Sequence, residues 1–477
     1  MKSRNSRVLL TAAASGGGKT TVTCGILKAL LNRRIPCRAF KCGPDYIDPM
    51  FHKYVLGIDG GNLDTWFQSE DAVRRRLADE VPEGGCTVIE GVMGFYDGVA
   101  GLSTQASAYD VARATETPVI LILDARGASL SLAAVLKGFL EYRNDSHIRG
   151  VILNRTTRTM ADRLTPVLEE LGVVVAGYIP ECGEARLESR HLGLVMPEEV
   201  KALHGRLERL AELLEETIDM EKVLAIADEA PELDMGRLSV HAEAESKPGE
   251  PGADEKKLSA FQPLPAPVRI AVARDPAFCF YYQENLALLE QLGAVLVPFS
   301  PMNDRELPTD IDGLLLGGGY PENYGAALEA NVSMRRQIRE KVEDGLPVLA
   351  ECGGFLYLHE SLEGSDGKTY HMAGVIAAHG YRTKRLGRFG YIEMEAQAGS
   401  LCLPKGEHIR GHEFHYWDST ASGGDWMAQK PLSTRNWACV HDKKGMIAGF
   451  PHLYYPSNPA FLERWIGICR ERKENGQ

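Results

Sequence analysis

The stretch "RVLLTAAASGGGKTT", residues 7–21, decides how the first half of the chain folds. Arg7–Ala12 is a short apolar run of strand type, residues 20–31 are patterned as a helix, and Ala13-Ala14-Ser15-Gly16-Gly17-Gly18 joins them. A strand, a glycine-rich turn and a helix opening on Lys-Thr are the context that a phosphate-binding P-loop requires. Glycines let backbone N–H groups curl around phosphate oxygens, and the helix N-terminus adds a favourable dipole. Ser15, Gly16, Gly18, Lys19, Thr20 and Thr21 are therefore candidate ATP-phosphate contacts, with Lys19 reaching the β- and γ-phosphates and the Thr20 hydroxyl holding Mg²⁺. The strict GxxxxGK[ST] spacing wants glycine where this chain has Ala13, and a glycine-rich turn followed by an incidental lysine is the alternative.

Outward from this loop, residues 87–90, 118–124 and 150–154 read as further buried strands, with helical stretches such as 129–142 between them. Strands alternating with helices predict parallel βαβ units. From 231 to 267 the sequence turns rich in Pro, Gly, Glu, Ser and Lys and poor in large apolar residues, which is the composition of a linker. The α/β grammar then returns: Val268–Ala273, 295–299, Gly313–Leu316 and Val348–Glu351 as strands, 282–292 as a helix. The expected division is residues 1–230, an ATP-binding domain; 231–267, a linker; and 268–477, a second α/β domain. Active sites are expected at the C-terminal ends of the strands in both.

Composition narrows the function classes. The 477 residues are too many for one ordinary core, and 44% hydrophobic with 25% charged residues is the balance of a globular protein. A net charge of −12 disfavours nucleic acid and anionic membrane surfaces as partners. No apolar run approaches the ~18 residues of a membrane span, and the basic start does not continue as a signal peptide, so a cytoplasmic protein is expected. The ten cysteines contain no CxxC pair, which argues against a zinc site or a disulfide framework.

One cysteine stands apart. "GLPVLAECGGFLYL" is a buried strand, then Cys352, then Gly353-Gly354 opening a helix, the pattern of a nucleophile elbow. A thiol at a helix N-terminus is expected to favour thiolate. "DGLLLGGGYPE" ends a second strand in Gly317-Gly318-Gly319, and Gly318, Gly319 and Gly353 are candidate oxyanion-hole donors. His452, after an apolar strand in "GMIAGFPHLYYP", is the candidate general base, with His412 and His415 as rivals. In the first half, Asp45 and Asp48 stand three apart in "KCGPDYIDP", while "TVIEGVMGFYDG" places Glu90 at the end of a strand and Asp97 on the loop after it. Each acid alone reads as a turn or cap residue; beside a P-loop they become candidates for Mg²⁺ binding and carboxylate activation.

Taken in order, "SGGGKTTVT", "KCGPDYIDPMFH", "NLDTW", "VIEGVMGFYDG", "ESRHLGLV", "GGGYPE", "ECGGFLYL" and "GHEFHY" resemble the cobyrinate (corrin-type) a,c-diamide synthase family over nearly the whole chain. The resemblance implies an N-terminal dethiobiotin-synthetase-like P-loop domain and a C-terminal flavodoxin-like class I glutamine amidotransferase domain. It implies Cys352 as glutaminase nucleophile and His452 as its base, with Asp45, Tyr46, Asp48, Glu90 and Asp97 around Mg²⁺, ATP and the activated carboxylate. The implied activity is amidation of the a and c carboxylates of cobyrinate in cobalamin biosynthesis, with ATP as cosubstrate and glutamine as ammonia donor. An anionic tetrapyrrole needs a basic wall, for which Arg190 and His191 are candidates and Arg126 a weaker one. A homodimer is a further expectation from the resemblance. One departure is clear: triad amidotransferases place Glu two residues after the His, and here that residue is Tyr454, with Glu351 and Glu413 as possible stand-ins.

Other readings keep part of this pattern. Nickel-sirohydrochlorin and hydrogenobyrinate a,c-diamide synthases share the architecture and change the acceptor; cobyric acid synthase shares the two modules. A regulatory P-loop ATPase would have no elbow cysteine, and a binding module with a dead glutaminase half would not need Cys352, His452 and both glycine loops.

Overall fold

The computed structural model describes residues 6–181, 197–233, 267–443 and 445–475, with only the backbone for 197–202. Arg190, His191 and most of the 231–267 segment lie outside the described residues. The chain divides into two compact units, Met1–Ala244 and Glu245–Gln477.

In the first unit the order is β1 (Arg7–Ala12), α1 (Lys19–Asn32), β2 (Cys37–Cys42), α2 (Ile47–Tyr54), β3 (Gly60–Leu63), α3 (Glu70–Asp79), β4 (Cys86–Glu90), α4 (Ala108–Thr115), β5 (Val119–Asp124), α5 (Ser131–Tyr142), β6 (Ile148–Asn154), α6 (Arg158–Glu169), β7 (Val174–Ile179), α7 (Pro197–Thr217) and α8 (Met220–Asp228). The strands form one seven-stranded sheet in the order β3-β2-β4-β1-β5-β6-β7, and the pairs along it are parallel. Side chains alternate across a strand, so Val8, Leu10 and Ala12 join the cluster under α1, α7 and α8 while Leu9 joins the opposite cluster with α3, α4 and α5. Both faces are covered, which is why β1 reads as a continuous apolar run. Each fully buried Val, Leu or Ile contributes on the order of 1.5–3 kcal/mol.

The fully buried Arg7 fixes where the chain leaves this unit. Its guanidinium donates to Thr115 O at 2.8 Å, Thr117 Oγ1 at 3.1 Å and Pro231 O at 2.8 Å, tying the segment after α8 to the start of β1.

The second unit repeats the plan and then adds to it. Its first elements are β8 (Val268–Ala273), α9 (Gln283–Gln291), β9 (Ala294–Phe299), β10 (Gly313–Leu316), α10 (Gly325–Ala330), α11 (Val332–Glu343), β11 (Val348–Glu351) and α12 (Gly353–Tyr357). There follow β12 (His359–Glu363), β13 (Thr369–His371), β14 (Ile376–Arg382), β15 (Phe389–Ala396), β16 (His408–Phe414), β17 (Trp417–Ser419), β18 (Trp426–Gln429), β19 (Asn436–Cys439), β20 (His441–Lys443), β21 (Met446–Gly449), β22 (His452–Leu453) and α13 (Pro459–Glu474). The main sheet, β20-β21-β11-β10-β8-β9, is parallel apart from the edge strand β20. Sequence reading made no assignment across 359–443; these residues form a four-stranded sheet, β13-β12-β14-β17, and an antiparallel one, β19-β18-β15-β16-β22. Among the described residues no helix is long and apolar enough to cross a membrane.

Candidate active site

The Gly-rich loop follows β1 at the centre of the first sheet. Gly18 has φ +95°, and a Cβ there would lie 2.3 Å from Asn154 Nδ2, so only glycine fits this position without movement. Gly18 is also the N-cap of α1, which has no side-chain cap and no acid in its first turn. The helix therefore leaves its first N–H donors and its positive dipole end available to an anion. Ala13 to Gly16 form the exposed rim, with Thr20 and Thr21 in the first turn of α1. Lys19 is buried, folded onto the carbonyls of Ala14, at 3.2 Å, and Met93. Burial, and then Lys41, lower its ammonium to about 8.

Beneath the loop the acids gather around a lysine. Lys41 Nζ lies 2.6 Å from Asp48 Oδ2 and 2.8 Å from Glu90 Oε1, and Thr20 Oγ1 donates to the same Glu90 oxygen at 2.7 Å. Burial opposes the charge on Lys41, but Asp48 and Glu90 outweigh it and hold the ammonium ionised. Asp48 is likewise pulled below its usual range by Lys41 in spite of burial. Glu90 goes the other way, raised to about 7 by burial and then by Asp48. His52, its Nε2 3.8 Å from Glu90 Oε2, is lowered by burial to about 4 and is neutral at pH 7.

Asp45 does not join this ring by hydrogen bonds. Its Oδ1 accepts from Ile47 N at 2.8 Å, and that cap starts α2 at Ile47, so Tyr46 is the N-cap residue and Asp48 lies in the first turn. Burial and then Asp48 raise Asp45 to about 6. Asp97 is exposed and closes its own loop, accepting from Gly94 N at 3.0 Å. A Cβ on Gly94 would come 2.6 Å from Ala13 O, so this loop packs directly against the phosphate loop.

In the second unit β11 runs into Cys352, whose φ of +47° is the left-handed strain of an elbow turn. The expectation of a thiolate-favouring site is corrected here: burial, and then Glu322, hold the thiol well above its ordinary value, outweighing the contact with the Gly353 amide. Gly319 (φ +156°) has no room for a side chain, since a Cβ would sit 2.1 Å from Ala277 O. The N–H of Gly317 is taken by the Tyr281 hydroxyl at 2.9 Å, which removes it as an oxyanion donor and leaves Gly318, Gly319 and Gly353 as candidates. A Cβ on Gly353 would be 3.0 Å from Gly319 N, and one on Gly318 would be 2.3 Å from His452 Cε1. The three glycines thus bring the two glycine loops and the His452 ring into one close-packed group.

His452 is buried, and burial followed by His412 keeps its imidazole well below the usual range. His412 stacks on it at 4.9 Å and is held at Nδ1 by the Tyr282 hydroxyl at 3.0 Å. His415 gives Nδ1–H to Trp417 O at 2.5 Å and stacks on Phe450. Of the two acids considered in place of the missing triad glutamate, Glu351 has Oε2 3.9 Å from His452 Nδ1. Glu413 is engaged elsewhere, by Trp437 Nε1 at 3.2 Å, His415 at 3.5 Å and Arg388 at 3.9 Å. Tyr455 OH donates to Glu351 Oε1 at 2.9 Å, and burial raises this carboxyl to about 8. Tyr454 packs edge-on against Tyr282 instead.

Residues 8–195 match the model of a CobQ/CobB/MinD/ParA nucleotide binding domain, and residues 269–457 match that of a CobB/CobQ-like glutamine amidotransferase domain. The cobyrinate a,c-diamide synthase of Caldanaerobacter subterraneus subsp. tengcongensis is 37% identical over 97% of this chain and 98% of its own. Those of Listeria innocua (37% identical, 97% of this chain and 99% of its own) and Thermoplasma volcanium (36% identical, 97% of each) are similar to the same extent. The chain belongs to the cobyrinate a,c-diamide synthase family.

Within this family member the donors present suit a magnesium ion. Glu90 Oε2 is buried without a hydrogen-bond partner, while Oε1 of the same carboxylate accepts from the Thr20 hydroxyl and shares Lys41 with Asp48. Among the described residues no cluster of three or more acidic, His or Cys side chains forms a complete cage. Mg²⁺ takes one or two carboxylates, a hydroxyl and phosphate oxygens rather than a full protein cage.

Four residues of this synthase-family chain escaped the sequence reading. Lys41 sits inside a quoted motif, and its signal was a lysine buried next to the end of the strand CRAFKC. Asn62 holds Gly43 O and Asp45 O at 2.8 and 2.7 Å. Asn154 and Arg155, at the end of β6, grip Gly17 O at 2.9 Å and Gly16 O at 2.8 Å. Nothing local marks these last two as partners of a loop so far away in sequence. Arg126 forms an exposed pair with Asp124 at 3.0 Å, which makes it a surface ion pair rather than a basic wall.

Proposed function

We propose that this chain uses ATP and glutamine to convert the a and c carboxylates of cobyrinate into carboxamides, a step of cobalamin biosynthesis carried out in the cytoplasm. The observation that carries the reading is the presence on one chain of two chemically complementary sites. One is an uncapped Gly-rich helix N-terminus over the Lys19–Thr20–Glu90 group; the other is an elbow cysteine in a buried glycine frame with His452. That the relatives are named cobyrinate a,c-diamide synthases supports cobyrinate as the acceptor. On this reading residues 1–230 form the ATP-dependent amidoligase domain, 231–267 the linker and 268–477 the glutaminase domain. Pairing as a homodimer belongs to the same reading.

A carboxylate is a poor electrophile, so its oxygen attacks the γ-phosphorus of ATP, ADP departs, and an acyl phosphate forms. Lys19 and the first amides of α1 neutralise the charge that develops on the phosphate oxygens. Ser15, Gly16, Gly18 and Thr21 line the cradle. Mg²⁺, held by Thr20, Asp48 and Glu90 with Asp45, Tyr46 and Asp97 in the surrounding loops, would supply further charge neutralisation. Ammonia then attacks the acyl carbon and phosphate leaves, giving the amide.

The ammonia comes from glutamine. His452 takes the Cys352 proton, the sulfur attacks the side-chain amide carbon, and the oxyanion is met by the amides of Gly318, Gly319 and Gly353. The proton passes to the leaving ammonia, and water hydrolyses the thioester to glutamate. Glu351 orients the imidazole and, once ionised, balances the charge it gains, the part played by the glutamate that Tyr454 replaces.

The test is product mass spectrometry with ATP, glutamine, Mg²⁺ and, separately, cobyrinate, hydrogenobyrinate or nickel-sirohydrochlorin. Two amidations of cobyrinate support the reading; amidation of another macrocycle alone changes the acceptor. ATP hydrolysis with no amidation of any would replace it with a regulatory ATPase.

A further inference from the structure

The carboxyl of Glu322 stands near the nucleophile and takes no part in the chemistry described above. Gly317-Gly318-Gly319 leads through Tyr320 into the 3₁₀ turn Pro321–Asn323, which carries it. That turn is held on several sides: Tyr320 N donates to Ala277 O at 3.1 Å, Tyr324 N to Pro321 O at 3.0 Å and Ser365 N to Glu322 O at 2.9 Å. It also abuts the elbow, since a Cβ on Gly353 would lie 2.9 Å from Pro321 Cδ and 3.0 Å from Gly319 N. A backbone so fixed presents Glu322, half-buried, at the edge of the glycine frame that surrounds Cys352.

Of the acids around the sulfur, Glu322 bears on it most, ahead of Glu413 and of Glu351, the residue next to Cys352 in sequence. Yet Glu322 has no counter-charge. Among the described residues no cation pairs with it, and only its own backbone N–H opposes the burial that raises it to about 7. Tyr455 OH serves Glu351, and Trp437, His415 and Arg388 serve Glu413; no side chain does the same for Glu322. A desolvated carboxyl without a partner costs stability, and beside a thiol it also disfavours the thiolate. A cation arriving with the substrate removes both penalties.

We infer that Glu322 receives the α-ammonium group of glutamine and makes the second unit selective for an amino acid amide. The dimensions agree. Four single bonds join the side-chain amide carbon of glutamine to its α-nitrogen, a reach of roughly 5 Å. A charge-assisted hydrogen bond of about 2.8 Å then sets the receiving oxygen roughly 6–8 Å from the carbon that Cys352 attacks. An acid at that range acts on the thiol through its charge and makes no hydrogen bond to it, as Glu322 does. Glu322 comes from the loop after β10 and Glu351 from the end of β11, so the two carboxyls divide recognition from proton transfer. The inference rests on the glutaminase half of the proposed function and adds to it the recognition of the nitrogen donor.

The test compares the full-length wild type with Glu322→Gln and Glu322→Asp on two substrates, glutamine and glutaramate, the latter being glutamine without its α-amino group. Ammonia release is measured with ATP, Mg²⁺ and cobyrinate present, and thermal unfolding establishes that the variants are folded. The wild type should prefer glutamine by about a hundredfold or more in kcat/KM. Glu322→Gln should raise KM for glutamine about tenfold or more without lowering kcat/KM for glutaramate, so the preference shrinks by the same factor. Glu322→Asp, which keeps the charge, should recover part of it. Equal losses on the two substrates, the mark of a merely structural residue, overturn the inference, as does an unchanged KM for glutamine or a wild type indifferent to the α-amino group. If the wild type releases ammonia from neither substrate, the glutaminase reading has failed and the inference with it.

Discussion

Glu351 Oε2 stands 3.9 Å from His452 Nδ1, with the other oxygen of the same carboxyl held by Tyr455 OH at 2.9 Å. The acid that faces the base thus comes from the residue before the nucleophile, at the end of β11, and not from the strand that carries the base.

This arrangement predicts a pH signature. Burial raises the Glu351 carboxyl to about 8, so it is protonated at neutral pH and becomes a carboxylate only above that value. Cys352, Glu322, His412, His415 and Tyr455 also face this pair and contribute to the profile. Glutaminase kcat should rise as pH increases through about 8 in the wild type. Glu351→Gln should lower kcat about 10²-fold and flatten that limb, while Glu351→Asp restores part of it. A Gln variant with wild-type kcat and profile would leave Glu351 as a structural residue.

Separation of the two chemistries is the second prediction. Cys352→Ala should abolish glutamine-dependent amidation yet leave amidation with added ammonium salt, whereas Lys19→Met or chelation of Mg²⁺ should abolish both. Product formation from each nitrogen source, followed by mass spectrometry, decides the matter. If ammonia fails to rescue the alanine variant, the division of labour is wrong.

Lys41 is the third. It is 4% exposed and neutralises Asp48 and Glu90 together. Lys41→Met leaves two buried carboxylates facing one another and should destabilise the first unit by about 3–5 kcal/mol, read from urea unfolding. Adding Glu90→Gln should recover part of that loss. A single variant as stable as the wild type would show that the pair is not needed for folding.

Stability should also depend on pH in an uncommon direction. Asp45, Glu90, Glu322 and Glu351 have folded-state values raised to about 6, 7, 7 and 8, each chiefly by burial. The folded protein therefore binds more protons than the unfolded chain between the ordinary carboxylate range and those values. Their contribution is fully present below the ordinary range and is lost as pH rises through about 6 to 8. Denaturation midpoints should fall from about pH 7 to about pH 8.5, above the range in which buried neutral His52 and His452 add stability with rising pH, and Glu351→Gln should reduce the slope at the upper end. A flat profile would mean that these carboxyls ionise normally.

Gly319 gives the last test. With φ +156° and Ala277 O 2.1 Å from a would-be Cβ, Gly319→Ala should displace the loop, with a strain cost on the order of 1–3 kcal/mol. Glutaminase activity should fall steeply, whereas Gly424→Ala, at a position without positive φ where a Cβ meets nothing within 4 Å, should not alter it.

What the sequence determined by itself was everything carried by short-range pattern. Apolar runs ending in glycine loops placed β1, β10 and β11, the helix opening on Lys19 and the turn at Cys352, because period and turn chemistry are local properties. The succession of distinct motifs carried the family. Tertiary structure decided what depends on neighbours far away in sequence: Lys41 between Asp48 and Glu90, Asn154 and Arg155 on the phosphate loop, and Glu351 rather than Glu413 beside His452. It also reversed the expectation for the Cys352 thiol, since a helix N-terminus is visible in sequence but the burial that outweighs it is not. The extra strands from 359 to 443 were hidden for a related reason: short antiparallel strands gain their stability from cross-strand partners, and a partner exists only once the chain has folded back upon itself.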